Sequence, residues 1–142
     1  MKYLLDTCLL SELVKTSPEP AVLSWMAGRK ESELFVSTIT IAELHRGVAK
    51  LPASRRRSSL SVWLEQLEAG FDERVLPFTS DTAHVWAGMC AQAESEGKPL
   101  AAFDSLIAAT ALTHGLCLVT RNVRDFAQAP VEVLNPWPGQ LP

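Results

Sequence analysis

Four carboxylates stand where apolar runs give way to polar residues or where a helical pattern begins: Asp6, Glu43, Asp104 and Asp125. Asp6 closes the run Tyr3-Leu4-Leu5. Glu43 comes soon after Leu34-Phe35-Val36, inside Ile39-Thr40-Ile41-Ala42-Glu43-Leu44. Asp104 precedes the apolar stretch Leu106–Leu112, and Asp125 follows Leu116–Thr120 and Asn122. A carboxylate is costly to bury alone and needs a cation or hydrogen-bond donors. Carboxylates gathered in one cleft cannot all stay ionised without a compensating cation. An oxygen-only set, with no His or Cys at ligand spacing, favours Mg²⁺ or Mn²⁺. Mg²⁺ takes one or two carboxylates, keeps waters and is completed by phosphate oxygens. The chemistry such a site suits is phosphodiester hydrolysis, in which the ion polarises the phosphate, generates a hydroxide-like water and steadies the leaving oxygen.

Each acid also has a local reading. Thr40-x-x-Glu43 matches a capping box. Asp6 and Asp104 could each serve a helix N-terminus, and Asn122-x-x-Asp125 matches a cap pair. What separates the readings is whether the four meet at one edge of one sheet.

The elements that must position them follow from apolar periodicity. Tyr3–Leu5, Leu34–Val36, Val75–Phe78, Leu116–Thr120 and Val131–Leu134 read as five short buried strands. Helical spacing predicts a short helix through Leu9, Leu10, Leu13 and Val14. A second opens at Pro20, with Val22, Leu23 and Met26 inward, and ends at Gly28. A third carries Ile41, Leu44, Val48 and Leu51 and places Glu43 in its first turn. A fourth runs from Ala53 to Gly70 with Leu60, Trp63, Leu64 and Leu67 on one face. A fifth is capped by Asp81 and reaches Glu96 with Val85, Trp86, Met89 and Ala93 inward. A sixth starts at Asp104, is apolar almost all round and stops at Gly115. The tail with Pro136, Pro138 and Pro142 reads as irregular. Strands alternating with helices imply an α/β fold, a three-layer α/β/α sandwich around a mostly parallel five-stranded sheet. Parallel strands put Asp6, Glu43 and Asp125 at one edge. The connector Gly97–Phe103 spans up to roughly 23 Å, enough to bring Asp104 there too. Ligands bind at that edge of open α/β sheets.

The 142 residues fit one domain, residues 1–142. A 47% hydrophobic, 20% charged composition is that of a globular chain. A net charge of −3 advertises no polyanion binding by the whole molecule, so any nucleic-acid contact must come from a local patch. Cys8, Cys90 and Cys117 lack CxxC spacing and imply a reducing compartment without disulfides. The opening Met-Lys-Tyr-Leu-Leu-Asp-Thr is no signal peptide and no apolar span is long enough for a membrane, so the expected location is cytoplasmic.

Four stretches together resemble the motifs of PIN-domain ribonucleases, specifically the VapC-type toxins of type II toxin–antitoxin pairs, including the FitB-like branch. They are Tyr3-Leu4-Leu5-Asp6-Thr7; Ser37-Thr38-Ile39-Thr40-Ile41-Ala42-Glu43-Leu44 with Gly47; Phe103-Asp104-Ser105-Leu106-Ile107-Ala108-Ala109-Thr110-Ala111; and Leu118-Val119-Thr120-Arg121-Asn122-Val123-Arg124-Asp125-Phe126. The third is the most specific, and the four in order cover nearly the whole chain. Some relatives carry an acid at the position of Asn122 and others at that of Asp125. The resemblance implies an endoribonuclease cutting structured RNA, such as transfer or ribosomal RNA, to leave a 5′-phosphate and a 3′-hydroxyl. It also implies a VapB-like antitoxin that covers the cleft, a homodimer, and contact with operator DNA through the antitoxin alone. On this reading Asp6 and Asp104 bind the first Mg²⁺, and Asp125 helps hold it or a second ion. Glu43 orients the attacking water or completes the metal shell.

Other features carry less. Thr7 and Thr120 offer hydroxyls that could contact phosphate. Arg55-Arg56-Arg57, near Lys50, could grip RNA phosphates, though a charge run is more simply a solvated helix start or a partner contact. Arg46, one turn from Glu43, is placed to pair with a carboxylate. His45, His84 and His114 have no ligand spacing and read as structural. Trp63 and Trp86 are candidates for a dimer or antitoxin groove, and no nucleotide-binding glycine motif is present. Two rival functions remain: a receiver-like Mg²⁺-binding signalling module, which wants paired acids near the first strand, and a catalytically silent PIN scaffold.

Overall fold

The computed structural model describes residues 1–139, so Pro142 lies outside the described residues. The sheet is built from β1 (Tyr3–Leu5), β2 (Leu34–Ser37), β3 (Val75–Leu76), β4 (Cys117–Val119) and β5 (Val133–Leu134) in the order β3-β2-β1-β4-β5. All four pairings are parallel, with Tyr3 opposite Leu34, Leu4 opposite Leu118, Val36 opposite Val75 and Val119 opposite Leu134. The chain builds outward from β1 through β2 to β3, then returns to the other side of β1. That reversal opens a crevice between β1 and β4 at their carboxyl ends.

Six helices flank the sheet: α1 (Thr7–Leu13), α2 (Pro20–Ala27), α3 (Thr38–Ala49), α4 (Arg55–Phe71), α5 (Ser80–Ser95) and α6 (Ala102–His114). Alternation along the strands sorts the core into two layers. Leu5, Val36 and Val119 face α1 to α4 and pack with Leu9, Leu10, Val22, Ile41, Leu44 and Leu64. Leu4 and Leu118 face α5 and α6 and pack with Met89, Ile107, Ala108 and Ala111. This is the three-layer sandwich that the apolar pattern predicts.

The differences lie mostly at element ends, where side-chain capping decides. Ser37, not Thr40, caps α3: its Oγ accepts the Thr40 N–H at 3.0 Å. Glu43 therefore sits in the second turn and takes no part in a capping box. Ser54 caps α4 at Arg55, two residues beyond the expected start. Thr79 caps α5, accepting the Thr82 N–H at 3.2 Å, while Asp81 only occupies the first turn. Leu23 on α2 points out, 43% exposed, because Val22 already fills the inward position. Gly115 ends α6 in the left-handed conformation, φ +64°, as its type suggests.

Cys8, Cys90 and Cys117 are free thiols. Among the described residues no helix is long and apolar enough to cross a membrane.

Candidate active site

Asp6 is the first residue after β1 and is only 4% exposed. It is the N-cap of α1: its Oδ1 accepts the Thr7 N–H at 2.8 Å. Its Oδ2 accepts the buried Thr120 hydroxyl at 2.7 Å. Thr120 follows β4 and in turn accepts the Asn122 N–H at 3.0 Å. Asp6 is thus pinned at the switch point by one donor from the start of α1 and one from the residue that follows β4. The capping reading of Asp6 is correct and is only half of its environment. Cys8 Sγ lies 3.6 Å from Asp6 Oδ2 and 3.4 Å from Thr120 Oγ1, closing the cluster from α1.

Glu43 reaches the same edge from α3. Its Oε1 accepts the Thr7 hydroxyl at 2.6 Å, which joins the acid of the second motif to the residue beside Asp6. Thr7 and Thr120 are therefore occupied in holding carboxylates, which corrects the expectation that their hydroxyls stand free for phosphate.

Asp104 is the third residue of α6 and partly buried. Because α6 runs into β4, its N-terminus lies at the carboxyl edge of the sheet. Burial, and then the negative charges of Asp6, Asp125 and Glu43, push the Asp104 carboxyl up from 3.8 to about 6. The four acids thus share one field, although they come from four separate segments. Asp125 sits exposed in a 3-10 turn, Val123–Phe126, anchored by the fully buried Phe126. Asn122 makes no side-chain cap there; the Asp125 N–H bonds the Asn122 carbonyl at 3.0 Å.

A divalent ion fits this donor set. The oxygens are hard ligands, and no cation compensates them: the ion pairs among the described residues are Lys15–Glu12 and His45–Glu68. Among the described residues no three His, Cys, Asp or Glu side chains are close enough to ligate one ion together. The arrangement suits an ion that keeps waters and accepts one or two carboxylates.

Several neighbours correct the sequence reading. Arg46 pairs with no carboxylate; its guanidinium lies over the Phe103 ring, 5.8 Å from the centroid. Trp86 is half-buried, and its Nε1–H donates to Ser105 Oγ at 2.9 Å, tying α5 to α6. Trp63 lines a groove of about 250 Å³ with Leu44, Val48 and Leu60, and Thr7 and Glu43 also line it. His45 Nε2 lies 3.2 Å from Glu68 and ties α3 to α4, in line with a structural role.

The PIN-domain family profile matches residues 3–132. A VapC ribonuclease (Y4jK) of Sinorhizobium fredii is 40% identical over 94% of this chain and 96% of its own length. The chain belongs to the PIN-domain family. The toxin FitB of Neisseria gonorrhoeae is 38% identical over 94% of this chain and 97% of its own. Among solved structures, a FitAB complex bound to DNA superposes with a TM-score of 0.91 at 35% identity, covering 98% of both chains. PIN nucleases generally depend on a divalent metal. Membership in this family overturns the receiver-like alternative.

Sequence reasoning missed two partners. Thr120 touches Asp6 across the crevice, where only strand order places it, and Cys8 touches Asp6 from two residues along, on α1. The buried Glu12 of α1 was not singled out either. It accepts Trp137 Nε1–H at 3.1 Å and the Glu19 N–H at 3.1 Å, and ion-pairs with Lys15 at 3.0 Å. A lone Glu at an inward helical position was its signal.

Proposed function

We propose that this PIN domain is a Mg²⁺-dependent endoribonuclease, the toxin of a toxin–antitoxin pair. The observation that carries the reading is the meeting of acids from four separate segments at the sheet's switch point, where burial and then the charges of Asp6, Asp125 and Glu43 raise the Asp104 carboxyl, in a chain 40% identical to a VapC ribonuclease. Residues 1–142 act as a single nuclease domain.

Asp6 and Asp104 are the primary metal ligands, directly or through water, and Asp125 helps to hold that ion or a second one. Mn²⁺ is the natural substitute. The bound ion supplies Lewis acidity to the scissile phosphate and lowers the pKa of a bound water. Asp6 is held in one orientation by the Thr7 N–H and the Thr120 hydroxyl, so its carboxylate needs no reorganisation on loading. Glu43, steadied by the Thr7 hydroxyl, would orient the attacking water or complete the metal shell. Asn122 serves as a polar neighbour of Thr120. The products are a 5′-phosphate and a 3′-hydroxyl.

The partners are a VapB-like antitoxin, RNA and a second copy of the chain, with operator DNA engaged only through the antitoxin. The FitAB assembly on DNA supports the antitoxin and the DNA in this set. The site of action is the cytoplasm. Arg55 and Arg56 are exposed at the start of α4 and fit a solvated helix end or a partner contact.

The test is cleavage of a labelled RNA by the purified protein. Cleavage in Mg²⁺, its loss in EDTA and its loss in Asp104→Asn are expected. No cleavage under any metal, with the protein folded, would establish the silent-scaffold alternative instead.

A further inference from the structure

Phe103 immediately precedes Asp104, yet it is 46% exposed. Single exposed apolar side chains are common and mean little alone. This one has a cation resting against it. Arg46 is three residues after Glu43 on α3, and its guanidinium carbon lies 5.8 Å from the Phe103 ring centroid. The pair bridges the two helices that deliver Glu43 and Asp104, so it stands at the rim of the acidic cleft.

The side chain of Arg46 makes no ion pair with those acids. An arginine salt-bridged to a carboxylate here would cancel charge that a metal needs. Held over an aromatic ring instead, its N–H groups keep their donors for a substrate. The cleft repels phosphate until a metal is bound, so a rim cation and a neutral binding surface are what an RNA strand requires. An exposed phenyl ring supplies the second: every base has a π-face, and unpaired RNA bases stack on aromatic side chains.

We propose that Phe103 and Arg46 form a nucleotide-binding element at the rim of the cleft. The open part of Phe103 stacks an unpaired RNA base beside the scissile phosphate, and Arg46 contacts the phosphate of that nucleotide. This rests on the ribonuclease reading given above and adds how the substrate is held.

The experiment measures kcat and KM on a labelled RNA in Mg²⁺ for wild type, Phe103→Ala, Phe103→Trp and Arg46→Ala. Phe103→Ala raises KM about tenfold with kcat within about twofold, and Phe103→Trp restores KM. Arg46→Ala raises KM and flattens the salt dependence, lowering the slope of log KM against log salt by about 0.7. Once the cut is mapped, RNA made abasic at a flanking nucleotide weakens wild type about tenfold but leaves Phe103→Ala no worse. Binding by fluorescence anisotropy in an Asp104→Asn background follows the same order. Unchanged KM in an active Phe103→Ala protein overturns the proposal. So does a Phe103→Ala protein that loses its oligomeric state by light scattering while KM holds, since that face would then be an interface between copies. If wild type cleaves no RNA at all, the ribonuclease reading has failed and this inference with it, an outcome distinct from an active enzyme indifferent to Phe103.

Discussion

Replacing Asp104 by Asn should make the metal-free protein more stable while abolishing its activity. Moving a carboxyl from 3.8 to about 6 corresponds to about 3 kcal/mol. Asp104 is only partly buried, and solvent screening cuts this to about 1 kcal/mol. The sign follows from which state binds the proton more tightly. The folded carboxyl has the higher pKa, so between about pH 4 and 6 the folded protein holds protons that the unfolded chain has released. This group's contribution therefore falls as pH rises through that window, and the penalty is complete above about 6. Asn at 104 carries no charge and escapes it. Thermal melts in EDTA at pH 7.5 should place Asp104→Asn about 3–4 °C above wild type, with the gap closing towards pH 4. Adding Mg²⁺ should raise the wild-type midpoint and leave the variant's nearly unmoved, since only the intact site gains ligand binding energy. An Asp104→Asn protein less stable than wild type at pH 7.5, or a gap independent of pH, would refute the shared-field argument.

Further outcomes follow from single contacts. Thr120→Val leaves the Asn122 N–H without its acceptor and Asp6 Oδ2 with only the weak Cys8 thiol as donor. It should cost about 1–3 kcal/mol in denaturant unfolding and raise the Mg²⁺ concentration for half-maximal cleavage, with Thr120→Ser restoring both. Trp137→Phe keeps the ring but removes the donor to buried Glu12. A melt lowered by about 3–4 °C for a loss of about 1 kcal/mol is expected, with faster limited proteolysis after β5. Gly115→Ala forces a side chain into φ +64° and should cost about 1–2 kcal/mol by urea unfolding without changing kcat.

Much of the fold was legible because strands and helices announce themselves by period. The run Tyr3-Leu4-Leu5 ending in Asp6 reads as a buried strand with a polar stop, and Leu4 and Leu5 are indeed wholly buried. The helix from Leu106 to Leu112 read as central for the same reason, and Ala108, Ala109 and Ala111 are sealed against the sheet. Caps were less legible. Thr40 and Ser37 are both plausible cap residues three apart, and only the backbone geometry at Ser37 decides between them. The site was legible as a set of acids and illegible as a network. The bond from Thr120 to Asp6 spans 114 positions, and no local pattern marks it. Arg46 was read as a carboxylate partner on helical spacing alone. The ring that it rests on belongs to α6, a different helix, and spacing along α3 carries no information about it.

Asp6 and Asp104 are proposed to take up a hard divalent ion at the β1–β4 crevice, with water completing its shell. A crystal soaked in Mn²⁺ and measured at the manganese absorption edge tests it most directly. An anomalous peak is expected between Asp6 and Asp104, absent from an Asp6→Asn crystal. A saturated soak with no peak there, from a protein whose RNA cleavage still requires metal, would contradict it.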